Sequence, residues 1–110
     1  MKKILIVDDA LFMREVIRGM LASGGFTDTL DAADGHEAVS VYREQRPDLV
    51  LLDITMPNMD GIEALGRLME LDPAAKVVMC SAIGQEKQMM RAVSLGAADY
   101  IVKPFKTEGL

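Results

Sequence analysis

An α/β fold, a doubly wound five-stranded parallel sheet flanked by helices, is what this sequence predicts. Three observations predict it. Five short apolar runs recur along the 110 residues, amphipathic helical spacings separate them, and a glycine or proline stop closes each helical stretch. Strand and helix alternating in this way require parallel strands joined by right-handed crossovers.

The first run is "KILIV" from Lys3. Met13, Val16, Ile17, Met20 and Leu21 then follow the i, i+3, i+4, i+7, i+8 spacing of a helix with one apolar face, and Gly24-Gly25 ends it. "TLDAA" from Thr29 is the second run, and Ala38, Val41 and Tyr42 repeat the helical spacing before Pro47. "DLVLL" from Asp48 is the third. Ile62, Leu65, Leu68 and Met69 mark the helix after it, and Pro73 follows. "KVVMC" from Lys76 leads to a weaker pattern of Met89, Met90 and Val93, closed by Gly96. "DYIV" from Asp99 is the last run. Three of the five runs show little polar alternation, which suits strands buried on both faces of a parallel sheet. After "YIVKPF" a fifth helix is expected, but only "KTEGL" remains. The last helix is therefore expected to be absent or truncated.

Length and charge narrow the classes. Residues 1–110 suffice for one domain with one core, and no linker or low-complexity stretch divides them. The net charge is -5 and no basic stripe is present, which argues against a nucleic-acid surface. The single cysteine, Cys80, lies in an apolar run and reads as a small core residue of a reducing compartment. The apolar stretch after Lys2 and Lys3 stops at Asp8, short of a signal peptide, and no segment approaches the ~20 apolar residues of a membrane span. A cytoplasmic protein is expected.

The polar residues are more informative than the pattern. In such a sheet, ligands bind outside the carboxyl ends of the strands, where the strand order reverses. Asp8 and Asp9 follow the first run, Asp53 follows the third, Ser81 the fourth and Lys103 the fifth. Each has a plain structural reading. Asp9 can cap the first helix and Ser81 the fourth, and Lys103 can be a solvated strand end. Asp53 is hardest to explain so, because Leu52 and Ile54 flank it. Thr55-Met56-Pro57 and Asp60-Gly61 read as turn chemistry. His36, the sole histidine, reads as exposed near a helix start.

Together these residues form a chemical set. Three carboxylates brought together repel one another, and a hard divalent cation resolves the conflict. Mg2+ takes oxygen ligands, keeps several waters, and is commonly held by one or two carboxylates plus phosphate oxygens. Lysine supplies a point charge for phosphate and serine a hydroxyl donor. Charge neutralisation and positioning are what a transferring phosphoryl group requires. A carboxylate can itself be the nucleophile, and Asp53 is the candidate.

The stretches "ILIVDDALFMR", "DLVLLDITMPNMDG", "VVMCSAIGQ" and "GAADYIVKPF" resemble the receiver domain of two-component response regulators, most closely stand-alone chemotaxis regulators of the CheY type. The likeness runs nearly to Phe105. It implies a flavodoxin-like sheet of order 2-1-3-4-5, an order that belongs to the family and not to the periodicity. It also implies that Asp53 accepts a phosphoryl group from a phosphohistidine of a sensor histidine kinase. Mg2+ would be bound by Asp9 directly, by Asp8 mainly through water, by Asp53 and by the backbone carbonyl of Thr55. Lys103 would pair with Asp53 and then with the phosphoryl oxygens. Ser81 would turn inward to the phosphoryl group, and Tyr100 would change rotamer with it, remodelling the face of the fourth helix and fifth strand. Met89 and Met90 lie near that expected output face. The peptide bond before Pro104 is expected to be cis, and Thr55 and Ile83 occupy positions that set the lifetime of the modified state. The partners implied are the kinase, an output protein such as a flagellar motor switch component, and a phosphatase.

Such a receiver is not an enzyme with a separate substrate; it catalyses only its own phosphoryl transfer and self-dephosphorylation. Two other readings compete. A Mg2+-dependent phosphohydrolase of the haloacid-dehalogenase type would place its nucleophile after the first strand, with a second acid two residues on, where this chain has Thr55 after Asp53. A degenerate receiver that only docks would not need the full set of Asp8, Asp9, Asp53, Ser81 and Lys103. The short C-terminus adds one further expectation. The first helix would leave part of its sheet face open, and either the natural protein continues past Leu110 or a homodimer covers that face.

Overall fold

The computed structural model describes residues 2–54, 56, 59–81 and 84–102. Strands β1 (Lys3–Val7), β2 (Asp28–Ala32), β3 (Leu49–Asp53), β4 (Val77–Ser81) and β5 (Asp99–Val102) alternate with helices α1 (Leu11–Ser23), α2 (Gly35–Gln45), α3 (Gly61–Leu71) and α4 (Glu86–Ser94). All the strands are parallel, in the order β2-β1-β3-β4-β5. The expected α/β architecture and strand order are those observed. The expectations for Thr55, Ile83, Lys103, Pro104 and the last helix lie outside the described residues.

Alternation along the strands builds two apolar layers. Leu5, Val7, Val50, Leu52, Val77 and Met79 pack with Ala38 and Tyr42 of α2, Ala64, Leu65 and Leu68 of α3, and Met89 and Ala92 of α4. Ile4, Ile6, Leu51 and Cys80 point the other way and meet Ile17 and Leu21 of α1. Burial of one such side chain stabilises by about 1.5–3 kcal/mol, so the sheet is a rigid platform.

Helix starts follow local chemistry. Asp34 and Asp60 cap α2 and α3, their carboxylates accepting the N–H of Glu37 at 2.8 Å and of Glu63 at 2.9 Å. Each cap begins an Asp-x-x-Glu sequence, the pattern of a reciprocal helix cap. At the far end of this layer the Tyr42 hydroxyl donates to the Asp72 carboxylate at 2.8 Å, clamping α2 to the end of α3. Burial, with the hydrogen bond to Asp72 and its charge, pushes the Tyr42 phenol up to about 12. Hydrogen bonds from Tyr42 and from the Ala74 N–H hold the Asp72 carboxyl below the usual carboxylate range.

Candidate functional site

Two strand registers place the acidic residues. β1 pairs with β3 so that Val7 faces Leu52, which sets Asp8 level with Asp53 one residue on. β3 runs on through Asp53, which pairs with Cys80 of β4. Backbone pairing is indifferent to the carboxylate, so the strand ends one residue later than its apolar run. β4 likewise extends to Ser81, which pairs with Val102 of β5.

The carboxylates converge. One oxygen from each of Asp8, Asp9 and Asp53 lies within 4.8 Å of the other two. Asp8 is 2 % exposed and Asp53 7 %, whereas Asp9 is open to solvent. Asp8 is held firmly: its N–H donates to the Ala32 carbonyl at 3.1 Å, and its Oδ1 accepts the Ala10 N–H at 2.9 Å. Oxygens sharing one magnesium ion at its 2.0–2.1 Å bond length lie roughly 3–4 Å apart. The all-oxygen donor set and this span therefore suit a small hard cation, and the set holds no imidazole or thiolate for a softer one.

Neither plain reading of the flanking residues survives. The residue capping α1 is Ala10, with no side-chain cap, so Asp9 does not serve there. The cap position of α4 is Gln85, four residues beyond Ser81, again without a side-chain cap. The Ser81 hydroxyl is instead buried at the strand end with no hydrogen-bond partner among the described residues. A buried hydroxyl left unpaired costs about 1–3 kcal/mol. It stands at the end of the strand that pairs with the one carrying Asp53.

Tyr100 lies on β5, 47 % exposed, and with Glu86, Met89, Met90 and Val93 it lines a groove of about 310 Å³. The two methionines differ: Met89 is part of the core, while Met90 is 74 % exposed. His36 is exposed beside the α2 cap, as expected. Thr55 and Lys103 lie outside the described residues, so the site as described comprises Asp8, Asp9, Asp53 and Ser81.

Sequence reasoning missed Gly61. A β-carbon there would stand 2.1 Å from the Asp53 carbonyl oxygen and 2.6 Å from the Ile54 α-carbon. The Gly61 N–H also donates to the Ile54 carbonyl at 2.6 Å. The start of α3 is thus pressed against the backbone of the candidate nucleophile. The signal was present: Asp60 alone suffices to cap α3, so the glycine after it serves another purpose.

Known proteins resemble this chain in sequence and in fold. The response regulator receiver domain family matches residues 4–110. The chain is 52% identical over 108 residues to the chemotaxis protein CheY of Listeria monocytogenes, covering 98% of this chain and 91% of that one. It is 49% identical over 106 residues to the chemotaxis protein CheY of Bacillus subtilis, covering 96% and 88%. Among solved structures it superposes on a chain of the CheX-CheY-BeF3-Mg+2 complex from Borrelia burgdorferi with a TM-score of 0.91 at 43% identity, covering 97% and 81%.

Proposed function

Because the chain belongs to the response regulator receiver domain family, we propose that it is a phosphorylation-switched signalling receiver of a two-component system, acting in chemotaxis. The observation that carries this reading is the buried Asp53 carboxylate at a strand end, within 4.8 Å of the Asp8 and Asp9 oxygens. The relatives named for chemotaxis support the pathway.

An Asp53 carboxylate oxygen attacks the phosphorus of a phosphohistidine on the sensor histidine kinase. A P–O bond forms as the P–N bond breaks, and the electron pair leaves with the imidazole nitrogen. The reverse arm is hydrolysis: water attacks the same phosphorus, and Asp53 is released as a carboxylate with inorganic phosphate. The protein thus turns over only its own aspartyl phosphate. Asp8, Asp9 and Asp53 are the residues that would hold Mg2+. When bound, that ion supplies charge neutralisation for the carboxylates and the phosphoryl oxygens. The carboxyl end of the sheet keeps the three side chains in place, because Asp8 and Asp53 are anchored by ladder and turn hydrogen bonds. Ser81 donates its hydroxyl to the phosphoryl group, and the adjoining β4–β5 edge passes the change to the groove around Tyr100. That groove engages the output protein.

Intact mass after incubation with acetyl phosphate and Mg2+ tests the reading. One phosphoryl group should be added, mapped to Asp53, and Asp53→Asn should abolish it. Equal labelling of the Asn variant would overturn the assignment.

A further inference from the structure

The turn that carries Asp8 and Asp9 is braced from β2 at both polar groups of the Asp8 backbone. The Asp8 N–H donates directly to the Ala32 carbonyl at 3.1 Å. Its carbonyl accepts from a guanidinium nitrogen, Nη1 of Arg14. Arg14 is in turn anchored through Nε to the Asp31 carboxylate at 3.1 Å. Asp31 and Ala32 are adjacent on β2, so the same two residues fix Asp8 by two routes. Arg18, one turn further along α1, pairs with Asp31 as well and donates to the Thr29 hydroxyl at 3.2 Å. This brace compensates for a local weakness. α1 starts without a side-chain cap, and the first bond of the helix, from the Arg14 N–H to the Ala10 carbonyl at 3.1 Å, begins one residue after Asp9.

We propose that Arg14 is a positioning residue of the acid site, holding the Asp8-Asp9 turn in the geometry that receives a divalent cation, with Asp31 as its anchor. The inference rests on the reading that this site holds Mg2+. A planar guanidinium fork suits this role, since one edge reaches a carboxylate while another nitrogen meets a carbonyl. A lysine ammonium on a flexible stem does not reproduce that geometry. Arg14 is a cation beside a cation site, so two roles predict opposite signs. If it acts by charge through space, its removal relieves repulsion and Mg2+ binds more tightly. If it acts by holding the turn, its removal loosens the ligands and Mg2+ binds more weakly. Its pairing with Asp31, which Arg18 shares, offsets part of its charge, which favours the second role.

Mg2+ titration of the metal-free protein, followed by calorimetry and by amide NMR shifts, decides between them. Arg14→Met keeps the apolar stem and leaves Asp31 paired with Arg18. It should weaken Mg2+ binding by about tenfold, the lower end of what losing a group that supports a metal ligand costs, and should speed hydrogen exchange at the Ala10 amide without metal. Arg14→Lys, which keeps the charge, should bind nearly as weakly as the methionine variant, and it answers the question alone if that variant does not fold. Tighter or unchanged binding in Arg14→Met, or parental binding in Arg14→Lys, would overturn the role. Failure of the parent protein to bind Mg2+ would instead overturn the reading of the site, and the Ala10 exchange rates would still report on the brace.

Discussion

Replacing Gly61 by alanine should damage the site without changing a charge. The added methyl group would meet the Asp53 carbonyl oxygen at 2.1 Å, the Ile54 α-carbon at 2.6 Å and the Asp53 carbonyl carbon at 2.8 Å. All three are backbone atoms, so no side chain can swing aside. The shortest separation must open by about 0.9 Å to reach the 3.0 Å floor of such contacts. Opening it also strains the hydrogen bond from the Gly61 N–H to Ile54. Overpacking costs roughly 1–3 kcal/mol, here at the upper end, and the weakened bond adds about 1 kcal/mol. Alanine in a helical position returns about 0.5–1 kcal/mol. The net loss should be about 3–3.5 kcal/mol, or on the order of 10–20 °C in melting temperature for a domain of this size. Shifting the nucleophile by nearly an ångström should slow phosphorylation from acetyl phosphate by up to about a hundredfold. Gly35→Ala is the control, because its methyl group would press on the Met59 side chain at 2.9 Å, which can move. Thermal unfolding and the rate of mass gain would be measured for both variants. Parental melting and parental labelling in Gly61→Ala would refute the close approach.

Three further outcomes are expected. Free Mg2+ at about ten times its dissociation constant should stabilise the fold by about 1.4 kcal/mol, and Asp9→Ala should lose most of that gain; equal melting with and without the ion would contradict it. Tyr42, raised from 10.0 to about 12, contributes stability that is complete below pH 10 and is lost as pH rises through about 12. Denaturant titrations of Tyr42→Phe should lack that alkaline loss, and an identical pH profile would sink the assignment. Ser81→Ala should be as stable as the parent or slightly more so, since it removes an unpaired buried hydroxyl. It should still be phosphorylated, with smaller NMR shift changes around Tyr100 and Met90; full-size changes would place the coupling elsewhere.

The architecture was legible because parallel strands buried on both faces cannot hide their composition. "KILIV" and "DYIV" coincide with β1 and β5, while the central runs each begin one residue before the strand and stop one residue short of its polar end. Asp53 and Ser81, the polar residues that follow the central apolar runs, are the last ladder residues of β3 and β4. What periodicity does not carry is contact between backbone and side chain across elements. Arg14 reads as an ordinary polar position of an amphipathic helix, yet its guanidinium meets the Asp8 carbonyl and the Asp31 carboxylate. Gly61 reads as a turn residue, yet its missing side chain is what lets α3 approach Asp53. Both depend on distances that only the assembled sheet defines.

The energetics of Ser81 bear on what kind of switch such a receiver would be. Pairing the buried hydroxyl with a phosphoryl oxygen gains about 1–3 kcal/mol, a shift of roughly 5- to 150-fold in a two-state equilibrium. Driving a protein from 1:99 to 99:1 requires about 5.5 kcal/mol. Ser81 alone therefore does not impose an all-or-none transition. Tyr100, Met90 and Val93 are 47 %, 74 % and 52 % exposed, so the groove displays apolar surface that a partner could bury. A receiver built this way would sample its partner-binding arrangement before phosphorylation, and the modification would enlarge that population instead of creating it. Partner binding to the unmodified protein should then be weak but measurable, and its affinity should rise by no more than the factor that Ser81 pairing and relief of the carboxylate cluster supply together.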